Sequence, residues 1–111
     1  MNNALKNETS QFAEEQKQRA GIFAVRCMVS GEVWVSKTCD LEKRQEGVKF
    51  QLGLGGFSGK SVQAAWDAHG EAAFDFLELQ EMNDNDEAAL CARLRDREGH
   101  WRLVLGAQPL F

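Results

Sequence analysis

A chain of 111 residues with 43% hydrophobic content can enclose one core of modest size, so a second domain is not expected. Its formal charge of −4 weighs against a protein held on nucleic acid by bulk electrostatics, because neutralising phosphates needs clustered Lys and Arg. Met1 to Lys6 has no apolar run behind a charged region and no later stretch reaches bilayer length, so the protein is expected to be soluble, unexported and without membrane contact.

Residues 10–20, SQFAEEQKQRA, are polar and rich in helix formers, and residues 1–20 read as a helical lead-in to a domain over 21–111. From Gly21 the β-rich run GIFAVRCMV meets the turn signal Ser30-Gly31, after which VWVSKT resumes as a second strand; together they predict a β-hairpin. Asp40 can cap a helix beginning near Leu41, with Leu41, Val48 and Leu52 at helical spacing. Ser61 can cap a second helix that buries Val62, Ala65 and Trp66 and stops at Gly70. FDFLEL reads as a strand whose acids, Asp75 and Glu78, fall on different faces. Asn83 to Asp86 then supplies a loop and a cap for a long helix, Glu87 to Leu105, ended by Gly106. The predicted fold is α+β, a three-stranded sheet flanked by helices in the order β-β-α-α-β-α. Cys27, Cys39 and Cys91 are odd in number and far apart, which disfavours disulfides and zinc and fits a cytoplasmic location; Cys27 and Cys91 read as core residues.

Charge is unevenly spread along this order. Residues 21–60 carry six cations against four carboxylates, a balance of +2, whereas residues 61–111 carry four against ten, a balance of −6. A polyanion would have to meet the first half and avoid the second. Two charges also stand where apolar residues belong: Glu98 within the stripe Leu90, Leu94, Trp101 and Leu105, and Arg44 between Leu41 and Val48. Each needs a partner, a metal ion or access to a cleft. Either the two pair directly as a structural ion bridge, or they face one pocket where Arg44 grips a phosphate and Glu98 holds a divalent metal.

Taken in order, these segments resemble the GIY-YIG nucleases, which include homing endonucleases, excision-repair nucleases and many short bacterial proteins. Gly21-Ile22-Phe23 stands where GIY is expected, and Trp34-Val35-Ser36 follows at the spacing of YIG. Asp40-Leu41-Glu42-Lys43-Arg44 looks like the N-L-x-x-R helix start, Val62 to Gly70 like L-Q-x-A-W-x-x-x-G, and Arg97-Glu98-Gly99-His100-Trp101 like R-E-x-x-W. The resemblance implies hydrolysis of one DNA strand with one divalent metal, Mg²⁺ or Mn²⁺, and an attacking water. It makes Arg44 and Glu98 the catalytic residues, Glu98 the metal ligand, and Lys37, Lys43 and Arg44 the DNA contacts.

The same resemblance is degenerate. Phe23 and Trp34 replace tyrosines, Ser36 replaces the YIG glycine, and Val48 stands where the family has a histidine. Phe cannot act as a base and an indole N–H only donates, so proton handling is lost at three positions. His69 and His100 do not fill the gap by position, though Trp34 could stack on a base. The expected function is a nuclease-like domain impaired or inactive in phosphodiester hydrolysis that retains DNA binding. The rivals are a protein-interaction module on the same fold and an active nuclease with rearranged chemistry.

Overall fold

Strand β1 runs Ala20–Cys27 in the computed structural model, which describes residues 19–111. The lead-in expected over residues 1–20 lies outside the described residues apart from Arg19 and Ala20, and Ala20 already belongs to β1. β1 pairs antiparallel with β2 (Val33–Thr38) on one edge and with β3 (Phe74–Met82) on the other. Its apolar run therefore has its backbone groups hydrogen-bonded on both sides, and every residue except Arg26 is buried.

Around this sheet lie α1 (Leu41–Leu54), α2 (Lys60–His69), a single 3₁₀ turn (Glu71–Ala73) and α3 (Glu87–Leu105). Alternation along β1 divides the core in two. Phe23, Val25 and Cys27 join Trp34 of β2 and pack against Leu41, Val48 and Leu52 of α1 and Val62 and Ala65 of α2. Ala20, Ile22 and Ala24 join Val35 and Met82 and pack against Leu94 of α3, flanked by Leu90 and Trp101. The hairpin is thus the middle layer of a three-layer α/β/α stack.

The sheet has four strands in the order β3-β1-β2-β4, not the three expected from the sequence. The fourth, β4, is only Gln108–Pro109, parallel to β2, and is too short to leave a periodic signal. It is held by Leu110 N–H donating to the Val35 carbonyl at 3.2 Å and by the burial of Leu110. Gly59 permits this: a Cβ there would stand 2.2 Å from the Leu110 carbonyl oxygen. Ser61 does not cap α2, which begins at Lys60 after Gly59. Its hydroxyl instead accepts from the Trp34 indole N–H at 2.7 Å and reaches Gln108 Oε1 at 3.4 Å, joining β2, α2 and β4.

Three smaller expectations also change. Cys91 is exposed, because α3 rests on the sheet by one narrow face and position 91 is off it; Cys27 is buried. Leu105 is exposed, since the sheet contact of α3 ends near Trp101. Arg44 is exposed: it sits at the margin of the α1 stripe, and its long stem carries the guanidinium out to water.

A bulge in β3 opposite Ile22 and Phe23 inserts one residue, Leu79. It explains why Glu78 and Glu81, three apart, both reach Arg19 at 2.9 and 3.1 Å. Arg19 also accepts the Leu41 N–H on its carbonyl at 2.8 Å, so the starts of β1 and α1 are tied to β3. The Arg19 hydrogen bond, helped by Gln45, holds the Glu78 carboxyl below its ordinary range against a smaller opposing effect of burial. A carboxyl depressed in the folded state stabilises above its unfolded pKa, and that stability is lost as pH falls through the folded value. Arg19→Ala should therefore lower Tm by a few degrees at neutral pH, with the difference in circular-dichroism melts shrinking only once the pH drops below about 4 and vanishing below the depressed Glu78 value.

Gly21 carries a steric demand of its own, since a Cβ there would lie 2.1 Å from the Gln80 carbonyl oxygen. Gly21→Ala must push β1 from β3 and should cost about 1–3 kcal/mol in urea unfolding, with the slope m unchanged.

Candidate functional site

The site is assembled at the β2 edge from the first turn of α1 and the second half of α3. Asp40 Oδ1 accepts the Lys43 N–H at 3.1 Å and starts α1 directly after β2, which sets Lys43 and Arg44 beside the end of that strand. The Arg44 guanidinium lies over the Phe111 ring, its carbon 5.2 Å from the centroid.

On the other side of the sheet, Arg97 Nε and Trp101 Nε1 both donate to Gln80 Oε1, at 3.0 and 2.9 Å, and fix the rotation of α3. Glu98 is thereby turned toward β2. Its Oε2 accepts the Lys37 backbone N–H at 3.1 Å and its Oε1 stands 4.0 Å from the Lys37 ammonium. The carboxylate side chain is only 18% exposed.

Arg44 and Glu98 line one open pocket of about 420 Å³ together with Ser36, Lys37, Arg102 and the segment Pro109 to Phe111. They reach it from opposite faces of the sheet and form no ion pair with each other among the described residues. The direct bridge is replaced by a Glu98–Lys37 contact, which leaves Arg44 facing the pocket. Lys43 lines an adjoining groove that shares Arg44 and Phe111 with the pocket.

Three of the four degenerate positions lie in the core and the fourth, Ser36, at the pocket wall. Phe23, Trp34 and Val48 belong to a single core cluster and are 0%, 0% and 2% exposed. Trp34 therefore has no face to offer a base, and its one polar atom is taken by Ser61. Ser36 is buried at the pocket wall and donates to the Lys37 carbonyl at 3.1 Å. His69 and His100 are exposed and line neither cavity. Sequence reasoning passed over Arg102, although its place four residues after Glu98 puts it on the same helix face. Phe111 gave no local signal.

The sequence matches no family model and no curated protein. Among solved structures it is similar to the catalytic domain of the homing endonuclease I-TevI, at 23% identity over 78% of this chain and 88% of that one, with a TM-score of 0.66. It is also similar to a glutamate-to-alanine mutant of the catalytic domain of intron endonuclease I-TevI, at 22% identity over 80% of this chain and 86% of that one, with a TM-score of 0.68. The likeness is one of fold: the chain has a GIY-YIG-like fold. Among the described residues no helix is long and apolar enough to cross a membrane.

The donor set bears on the divalent ion that such a fold implies. Among the described residues no three His, Cys, Asp or Glu side chains gather around a common point. Glu98 Oε1 is the oxygen left over at the pocket, since Oε2 is held by β2. That set fits Mg²⁺ or Mn²⁺ taken by one carboxylate oxygen, with water and phosphate oxygens completing the shell. The nearby cations Lys37, Arg44 and Arg102 oppose a resident divalent ion at this carboxylate.

The Glu98 contact with β2 can be tested apart from any chemistry. Glu98→Ala should speed amide hydrogen exchange at Lys37 about tenfold and cost about 1 kcal/mol, whereas Glu98→Gln keeps an acceptor and should stay near wild type.

Proposed function

We propose that this chain is a nuclease-like DNA-binding domain that receives a phosphate backbone at the pocket between Arg44 and Glu98 and is impaired or inactive in phosphodiester hydrolysis. The observation that carries the reading is one of charge: Lys37, Arg44 and Arg102 gather around a single carboxylate in a protein whose overall charge is −4. Such a local excess of cations favours a polyanion at this edge, although the second half of the chain, which contributes Arg102 to it, is acidic as a whole. Arg44, planar and without a carboxylate partner among the described residues, suits bidentate contact with a phosphate.

Glu98 would hold Mg²⁺ or Mn²⁺, which when bound would polarise the phosphate and stabilise developing charge. Lys37 and Lys43 would contact the flanking backbone. With Glu98 given to the ion, no other described side chain at the pocket is suited to remove a proton from water. Ser36 is engaged with a carbonyl, and Phe23, Trp34 and Val48 are packed in the core. Loss of one general base typically costs about 100- to 10,000-fold in rate, and more than one is missing here. A protein-interaction role is the second reading. It is favoured by the acidic half and by Leu103 and Val104, which stand exposed on the last turns of α3.

Affinity for a DNA duplex should fall steeply with salt, and Arg44→Ala and Lys43→Ala should each weaken it severalfold and reduce the log–log salt slope by about 1. Plasmid nicking with Mg²⁺ or Mn²⁺ should be absent or very slow. Nicking abolished by Glu98→Ala or Arg44→Ala would instead make the protein an active nuclease. Absence of DNA binding even at low salt would leave the protein-interaction reading ahead.

A further inference from the structure

Beside the phosphate pocket runs a second concavity of about 680 Å³, open to solvent and bounded by the first turns of α1, the loop at Phe57 and Ser58, and Phe111. Its composition is unusual for a surface that only has to meet phosphates. Phe50 and Phe111 line it while 64% and 57% exposed, and Phe57 forms its inner wall. Phe111 is fixed between Phe57, at 5.2 Å and tilted by 54°, and the Arg44 guanidinium. Lys43 and Arg44 supply two cations against one carboxylate, Asp40, which is already occupied in capping α1.

Exposed aromatic rings next to cations have little to do against a continuous duplex. There the base faces are stacked inside and the protein meets sugar and phosphate. An unpaired base offers a free π-face, and alternating ring and cation contacts are what a single strand requires. The volume lies within the range of about 300–1,000 Å³ that holds small organic ligands, so one nucleotide can enter. Arg44 is shared by both cavities, so the same guanidinium can present its edge to a phosphate and its face to a ring.

We propose that this groove binds an unpaired base, and that the preferred ligand of the protein is single-stranded DNA rather than continuous duplex. The inference rests on the DNA-binding reading above and goes further by naming the form of the DNA. A base in the groove stacks against Phe50 or the Arg44–Phe111 ledge, while its neighbouring phosphates face Lys43 and the pocket at Glu98.

The test compares fluorescence anisotropy of a labelled oligothymidylate with that of a labelled duplex of equal length, at low salt. Wild type should bind the single strand more tightly. Phe50 lies outside the Arg44–Glu98 pocket, and Phe50→Ala should lose about fivefold or more of that affinity while changing duplex binding less than about twofold. The Phe50 ring is largely exposed, and a thermal melt checks that the variant still folds. As an independent readout, Cys39 also lines the groove, so in a Cys91→Ser background the oligothymidylate should slow its alkylation. Equal binding of both forms, equal loss of both in Phe50→Ala, or unprotected Cys39 would overturn the single-strand inference and leave DNA binding intact. Failure of both forms to bind would overturn the two together.

Discussion

Strand β1 is hydrogen-bonded on both edges and covered on both faces, and the rest of the molecule is arranged around that constraint. A hydroxyl or imidazole pointing from this layer into the core would need a satisfied partner or cost about 1–3 kcal/mol. Phe23 asks for none. Trp34 has one polar atom, and Ser61 answers it at 2.7 Å. Val48 closes the same cluster from α1. Phe23, Trp34 and Val48 form a continuous apolar contact in the core. Because the three side chains touch one cluster, a tyrosine placed at any one of them would bring a hydroxyl into a site shaped for carbon.

The charged part of the site follows a different logic. Glu98 holds β2 through a backbone amide with one oxygen, and its other oxygen accepts no hydrogen bond among the described residues, while the side chain lines the pocket. Lys37 stays close to it, but at 4.0 Å with 45% of its side chain exposed that ion pair is weak. Arg44 is held by a ring instead of a carboxylate. Among the described residues this leaves its charge without a carboxylate partner, which a direct Arg44–Glu98 bridge would have supplied. The alternative of a closed structural ion pair is therefore disfavoured by geometry.

Much of this fold is legible in the residues. The hairpin, the Asp40 and Asp86 caps, the stop at Gly106 and the buried Leu41, Val48 and Leu52 follow from local signals whose physical cause lies within a few residues. What was hidden depends on distant contacts. β4 exists because Leu110 finds the Val35 carbonyl and Gly59 leaves room for it, and a two-residue strand has no period to read. Ser61 carries a capping signal, yet Trp34 claims its oxygen across 27 residues. The β3 bulge moves Leu79 to the α3 face and leaves Glu78 and Glu81 on the other, so strict alternation could not describe this strand. For the site, the pairing of Arg44 and Glu98 in one concavity was one of two open alternatives. Arg102 and the aromatic wall became visible only with the chain folded.

The C-terminal segment joins these strands of argument. By docking on β2 it supplies a wall of the pocket between Arg44 and Glu98, and it carries Phe111 under Arg44, the cation shared with the aromatic groove. A lysine at position 44 could deliver the same charge, but its ammonium has no plane to lie on a ring and no fork to present to two phosphate oxygens. The contact between Arg44 and Phe111 therefore makes the two cavities one continuous surface. On an acidic protein it adjoins a local group of cations, Lys37, Arg44 and Arg102, which is what supports the proposed nucleic-acid ligand.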